Sequence, residues 1–458
     1  MTKEELYYQK MTKTPVAKLV LMLGIPTTVS MLITNLYNLV DTYFVGTLGE
    51  SQQAATGILF TLQCIIQAIA FMLGQGSGAF VSKCLADKDS KKASNYVSSA
   101  FFIGGFVGIL LMAGGLIFLD PFMKLLGSTN TILPYAKDYG MWVLISCPFM
   151  ICSLVLNNNL RYEGLSFVSM IGLGTGALIN IFGDYYFVSQ LKMGVYGAGL
   201  ATATSQIISF FILLIFYITK AKSKISIKHI STKIKLYIEV CLCGLPSLIR
   251  QGLTSISSGI LNNLTKAYGD AAIAAMSIVN RYSSFVLCVG LGIGQGFQPV
   301  VAFNYQAKEY KRVKKSMLFT LRFGLIAVGA LALVGLIFPE QIIRLFQKKE
   351  EVIAIGKYAL VAASIGTMFL PISVTTNMLY QSIRKSTIAS FLSLLRSGLA
   401  FIPTLLLLSS LFNLKGIQTS QPVADVLSSL ISIPFMLYFL FKTPNSIEEE
   451  KAAVKKLN

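Results

Sequence analysis

GQGSGAFVSKCLADKDSKK, residues 74–92, returns as GQGFQPVVAFNYQAKEYKR, residues 294–312. In each copy a Gly-Gln-Gly triplet stands in an apolar run, and a charged turn follows it. The turn is Lys88-Asp89 with Lys91-Lys92 in the first copy, and Lys308-Glu309 with Lys311-Arg312 in the second. The offset is 220 residues (294 − 74, 308 − 88), and two further pairs keep it. Gly24-Ile25-Pro26 recurs as Gly244-Leu245-Pro246 (244 − 24), and Gly49-Glu50 as Gly269-Asp270 (269 − 49). One offset at four places indicates duplication of a long unit. The triplet is no phosphate loop, because no lysine or strand-to-helix context follows it.

Composition says what kind of unit was duplicated. Of 458 residues 54% are hydrophobic and only 13% charged, against about 25% charged in soluble domains. The mean hydropathy is +0.66. Apolar runs long enough to cross about 30 Å of hydrocarbon recur along the chain. They lie at roughly 16–46, 53–80, 93–119, 134–157, 166–188, 194–219, 236–265, 272–302, 316–338, 352–379, 387–409 and 415–441. The expected fold is an all-α integral membrane protein of twelve transmembrane helices in two six-helix lobes. Six is even, so both lobes run the same way through the bilayer, with a ligand path between them. The lobes are residues 1–219 and 236–441, joined by a cytoplasmic linker at 220–235 and followed by a cytoplasmic tail at 442–458.

The net charge of +19 suggests nucleic acid only until its distribution is considered. Basic residues cluster between the apolar runs, in the two charged turns and from Lys220 to Lys235. With both termini cytoplasmic all three clusters fall inside, which is the positive-inside pattern. The expectation is a bacterial inner (plasma) membrane protein with no nucleic-acid partner, working as a monomer. The start, MTKEELYYQKMTKTP, lacks the pattern of a signal peptide, so insertion relies on the first span. Six of the seven cysteines lie in apolar runs and read as small apolar residues. His229 is the single histidine and sits in the polar linker. No metal cluster or disulfide framework is suggested. No nucleophile–base constellation is visible either, so an enzyme is not expected.

Charge inside a bilayer is costly and marks candidate function. The intramembrane ionisable residues are Asp41, Asp184, Arg250, Arg281, Arg396 and Asp425. Asp41 and Asp184 fall at similar depth in the first and fifth spans. Asn180 is four residues before Asp184, on the same helical face. Gly172 and Gly176 continue that face in steps of four and allow close helix approach. The sixth span offers Thr202 as a neighbour. Two buried carboxylates need neutralising by a proton, a small cation or a cationic substrate, and competition among these is the basis of antiport. At the repeat offset Asp41 meets Leu261, and Asp184 falls opposite Pro403-Thr404, so ion coupling is expected in the first half alone. Arg250 and Arg281 are expected to pair with Asp425 or to line a cavity. Arg161 and Glu163 read as an interfacial charge pair. Tyr37, Met72, Asn157, Asn158 and Met276 are further cavity candidates, and Pro26 is a candidate hinge.

With the duplicated twelve spans, Tyr37-Asn38-Leu39-Val40-Asp41 and Gly294-Gln295-Gly296-Phe297-Gln298-Pro299, the chain resembles the multidrug and toxic compound extrusion (MATE) family. The stretch from Gly292 to Tyr310 and the ending Gln421-Pro422-Val423-Ala424-Asp425 place the resemblance in its MepA-like, DinF-type branch. The resemblance implies secondary active export of cationic or amphipathic organic compounds, driven by inward flow of protons or sodium ions, with no cofactor. It also implies a cation site in the first half, at the positions of Asp41, Asn180, Asp184 and Thr202. The alternative is a flippase for anionic lipid-linked cell-envelope intermediates, with Arg250 and Arg281 as anion contacts.

Overall fold

A computed structural model of the protein describes residues 3–444, so most of the expected tail at 442–458 lies outside the described residues. The helices are Lys3–Lys13 (α1), Val16–Gly46 (α2), Glu50–Ala86 (α3), Ser90–Ile117 (α4), Leu119–Leu125 (α5), Leu133–Tyr162 (α6), Ser166–Asp184 (α7) and Gly194–Lys220 (α8). They continue as Ile234–Thr265 (α9), Gly269–Gln306 (α10), Tyr310–Ile337 (α11), Pro339–Phe346 (α12), Glu350–Thr367 (α13), Leu370–Ser382 (α14), Ser386–Leu394 (α15) and Phe401–Lys442 (α16). No strand occurs among the described residues.

Among the described residues, nine helical stretches are long and apolar enough to cross a membrane. Two of them, Ile234–Gln306 and Ser386–Lys442, have 73 and 57 residues. At about 1.5 Å per residue each exceeds twice the bilayer's ~30 Å. Each reverses midway, at Gly269 with φ 83° and at Asn413 with φ 51°. The pair α13–α14, bent by 44°, supplies the remaining traversal, and twelve result. The repeat is visible in the backbone. Residues with positive φ recur at the same offset: Gly49 and Gly269, Lys88 and Lys308, Gly164 and Arg384.

The chain packs as two compact units, and they divide elsewhere than the expected lobes. One, here the N-terminal unit, is Val29–Gln251. The C-terminal unit combines the chain through Thr28 with the chain from Gly252 onward. The N-terminal part of each half's first helix therefore packs within the opposite half's unit. The glycines of the opening motif explain this. A Cβ on Gly76 would stand 2.1 Å from the Val240 carbonyl oxygen, and one on Gly244 1.8 Å from that of Met72. In the C-terminal unit a Cβ on Gly296 would lie 2.2 Å from the Cα of Gly24. Only glycine admits backbones so close. The Ser247 hydroxyl also donates to Gln75 Oε1 at 2.8 Å, so the triplet's middle residue binds the same helix.

Pro26 lies inside α2, two residues before the change of unit. Proline cannot donate a backbone hydrogen bond. The next two residues add bonds of their own, Thr27 Oγ1 to Leu23 O at 2.8 Å and Thr28 Oγ1 to Gly24 O at 2.9 Å. Such back-bonding bends helices.

The stretch between α8 and α9, the expected linker, is bonded along its length to the helices beside it. Its backbone follows the serine face of α4. Ser94 Oγ accepts from Lys224 N at 2.8 Å, Ser98 Oγ from Ser226 N at 3.2 Å, and Ser99 Oγ from Ser231 N at 2.9 Å. Glu163, fully buried at the end of α6, accepts from the Tyr217 hydroxyl, from the backbone of Lys222 and Ser223, and from the Ser223 hydroxyl. The stretch is an integral strap of the N-terminal unit.

Candidate functional site

The site lies within the N-terminal unit, where α2, α6, α7 and α8 each supply polar side chains. Three of these helices do so in i, i+4 pairs on one face: Tyr37 and Asp41 on α2, Asn180 and Asp184 on α7, Thr202 and Gln206 on α8. The α7–α8 contact that aligns them is closed up by glycines of α7. A Cβ on Gly172 would meet Leu213 Cδ2 at 2.3 Å, one on Gly176 Ser209 Cβ at 2.7 Å, and one on Gly183 Ala201 Cβ at 2.9 Å. Immediately after Asp184 the helix widens into a π turn, Tyr185–Gln190. Such turns re-aim side chains and recur at functional sites.

Tyr139 on α6 organises the centre. Its hydroxyl donates to Asp41 Oδ2 at 2.8 Å and lies 3.2 Å from Thr202 Oγ1. Asn180 Nδ2 donates to Thr202 Oγ1 at 3.3 Å. Gln206 lies beside the Tyr37 hydroxyl, and Asp41 and Asp184 stand within electrostatic reach of each other. Asp184 is 0% exposed, and neither of its carboxylate oxygens has a hydrogen-bond partner among the described residues. Asp41 Oδ1 and Asn180 Oδ1 are likewise buried without one. Four acceptor oxygens with no donor facing them suit a proton or a small cation. Ionised carboxylates without such a neutraliser are expensive in a low-dielectric interior.

Asp41, Asn180, Asp184 and Thr202, chosen from the sequence, thus come together, with Tyr37 beside them. Tyr139 and Gln206 were missed. Their signal was a polar tip inside an apolar run, where a buried tyrosine hydroxyl needs a partner. The other candidates lie apart. Asn157 donates to Ser169 O at 3.2 Å, and Asn158 is fully buried between Leu154 O and Arg161. Gly244 packs against the backbone of Met72. Met276 belongs to the apolar core of the C-terminal unit. Arg250 lies near Arg161 in the N-terminal unit, and Arg281 is exposed in the C-terminal one.

The expected pairing of Asp425 with Arg250 or Arg281 is corrected. Asp425 Oδ1 accepts from Arg396 Nε at 2.9 Å and from Gln421 Nε2 at 3.0 Å. A second π turn, Leu395–Leu399, carries Arg396, and α16 presents Asp425 to it. At the repeat offset the polar centre of the N-terminal unit becomes apolar. Asp41, Tyr139 and Asn180 correspond to Leu261, Ala359 and Ala400, all members of one hydrophobic cluster.

The MatE family profile matches residues 26–186 and again 246–406, the same 220-residue offset (246 − 26, 406 − 186). Two relatives are called multidrug export protein MepA. The one from Staphylococcus aureus is 26% identical over 445 residues, covering 96% of this chain and 97% of its own. The one from Staphylococcus saprophyticus is 24% identical over 447 residues, with the same coverage of 96% and 97%. A solved structure, described as the outward-facing conformation of a multidrug resistance MATE family transporter of the MOP superfamily, has the same fold. Its TM-score is 0.89 at 20% identity, covering 100% of this chain and 99% of that one.

Proposed function

The chain belongs to the MatE family, and from that premise we propose that it is a secondary active multidrug efflux transporter of the bacterial plasma membrane. It exports cationic or amphipathic organic compounds in exchange for protons or sodium ions. The observation that carries the coupling is Asp184, buried without a hydrogen-bond donor among the described residues and within reach of Asp41. Asp41, Asn180, Asp184 and Thr202 hold the cation, and Tyr139 positions Asp41. Neutralising the pair stabilises the tightly packed arrangement of α2, α7 and α8. Pro26 allows α2 to bend as that arrangement changes. An organic cation and the inorganic one compete for the same negative charge, so each displaces the other from the unit.

One elementary charge crossing 100 mV is worth about 2.3 kcal/mol, which sustains a substrate gradient of roughly 40-fold. Everted vesicles with separately imposed pH and sodium gradients test the driving ion: one gradient alone should energise uptake of a fluorescent organic cation. Asp184→Asn should abolish that uptake, and drug resistance in a sensitive host, while the protein remains in the membrane. Unchanged efflux would remove the carboxylate from the mechanism.

A further inference from the structure

Both units bury an acid between the fifth and sixth spans of their half, but they neutralise it differently. In the N-terminal unit Asp184 has no donor among the described residues. In the C-terminal unit Asp425, 2% exposed, is held by the Arg396 guanidinium at 2.9 Å. The repeat offset sets this pair against two neutral residues. Arg396 corresponds to Gly176 and Asp425 to Ser205 (396 − 220, 425 − 220). Those two residues already touch in the N-terminal unit, where a Cβ on Gly176 would lie 3.3 Å from Ser205 O. The same contact between the same two spans is therefore small and neutral in one unit and an ion pair in the other. The π turn around Arg396 is itself tied down, because the Ser257 hydroxyl donates to the Ser397 carbonyl. The positions equivalent to Asp41, Tyr139 and Asn180 are apolar, in a cluster that also holds Leu395 and Ala424, the sequence neighbours of Arg396 and Asp425.

We propose that Arg396 is a tethered cation: it keeps the buried carboxylate of the C-terminal unit permanently occupied, and so determines that exchangeable cations bind in the N-terminal unit alone. Asp425 has the burial that a coupling carboxylate needs, and a guanidinium on the neighbouring span fills the place a free cation would take. Removing the guanidinium leaves an uncompensated buried charge, the situation in which a carboxylate captures a proton or a sodium ion. Arg396 is a specificity-determining residue in this sense and does not itself touch substrate. The inference rests on the coupling role proposed for Asp41 and Asp184.

The test counts bound cations on the full-length protein in detergent, with radioactive sodium for sodium ions and potentiometric titration for protons. Arg396→Met should hold one cation more per chain than the wild type, and Arg396→Met/Asp425→Asn should return to the wild-type count. A folded Arg396→Met protein with the wild-type count overturns the proposal. Where Arg396→Met is recovered poorly, methylguanidinium chloride is added during solubilisation. It should restore recovery or raise the melting temperature of Arg396→Met and leave the double variant unmoved; failure to do so in a poorly recovered protein also overturns the proposal. Asp184→Asn is counted in parallel. If it removes no cation from the wild type, the proposed function fails, whereas the gain at Asp425 is still decided by Arg396→Met against the double variant.

Discussion

Tyr139 reaches two polar partners from a helix that contributes nothing else to the network, and deleting its hydroxyl isolates that contribution. A hydrogen bond to a charged group contributes about 1.5–3 kcal/mol, and 1.4 kcal/mol is about tenfold in a rate or affinity. Tyr139→Phe should therefore lower efflux at least about tenfold while leaving the amount of protein in the membrane unchanged, as quantitative blotting beside a dye-efflux assay would show. Asn180 and Asp184 were legible because two polar residues four apart in an apolar run must share a helix face. Tyr139 was not, because a tyrosine in a span reads equally as packing or as an interfacial anchor. Arg396 was seen as a buried charge, but its partner was not. Periodicity assumes 3.6 residues per turn, and the π turn at Leu395–Leu399 breaks that assumption at the residue in question.

Within one helix, two glycines of α9 make opposite predictions. A Cβ at Gly244 would lie 1.8 Å from the Met72 carbonyl oxygen, whereas one at Gly252 meets nothing within 4 Å. Overpacking costs about 1–3 kcal/mol even where side chains can move, and here the obstacle is backbone. Gly244→Ala should lower the melting temperature of the detergent-solubilised protein markedly, with much reduced yield. Gly252→Ala should leave both unchanged or slightly improved. The spans themselves were readable, since apolar length alone identifies them. The break of 44° between α13 and α14 and the packing of the linker were not. Polar linkers and bonded straps have similar composition, and the difference lies in Ser94, Ser98 and Ser99 of a helix far away in sequence. Glu163, read as half of an interfacial charge pair, is the buried anchor of that strap.

Taken together, the basic clusters predict an orientation. Asn130, exposed between α5 and α6, should face outward, and Lys228, exposed in the strap, should face the cytoplasm. In a background without the seven native cysteines, an impermeant maleimide should label Asn130→Cys in intact cells and Lys228→Cys only in everted vesicles. The duplication was plain from four motif pairs, and it correctly implied two related halves. It could not show that the halves trade the N-terminal parts of their first helices. A constant offset is the same whether a motif packs within its own copy or within the other.

That trade has a consequence for how the protein is made. Gly24 and Gly296 are neighbours in the C-terminal unit, yet 272 residues separate them (296 − 24). Ribosomes add about 5–20 residues per second, so the N-terminal part of α2 waits roughly 15–50 s after its own synthesis before its partner helix exists. Gly24 leaves a bare strip of backbone on α2 throughout that interval. Biogenesis must therefore shelter an unfinished helix face, and the interval shortens or lengthens with translation speed between codons 24 and 296.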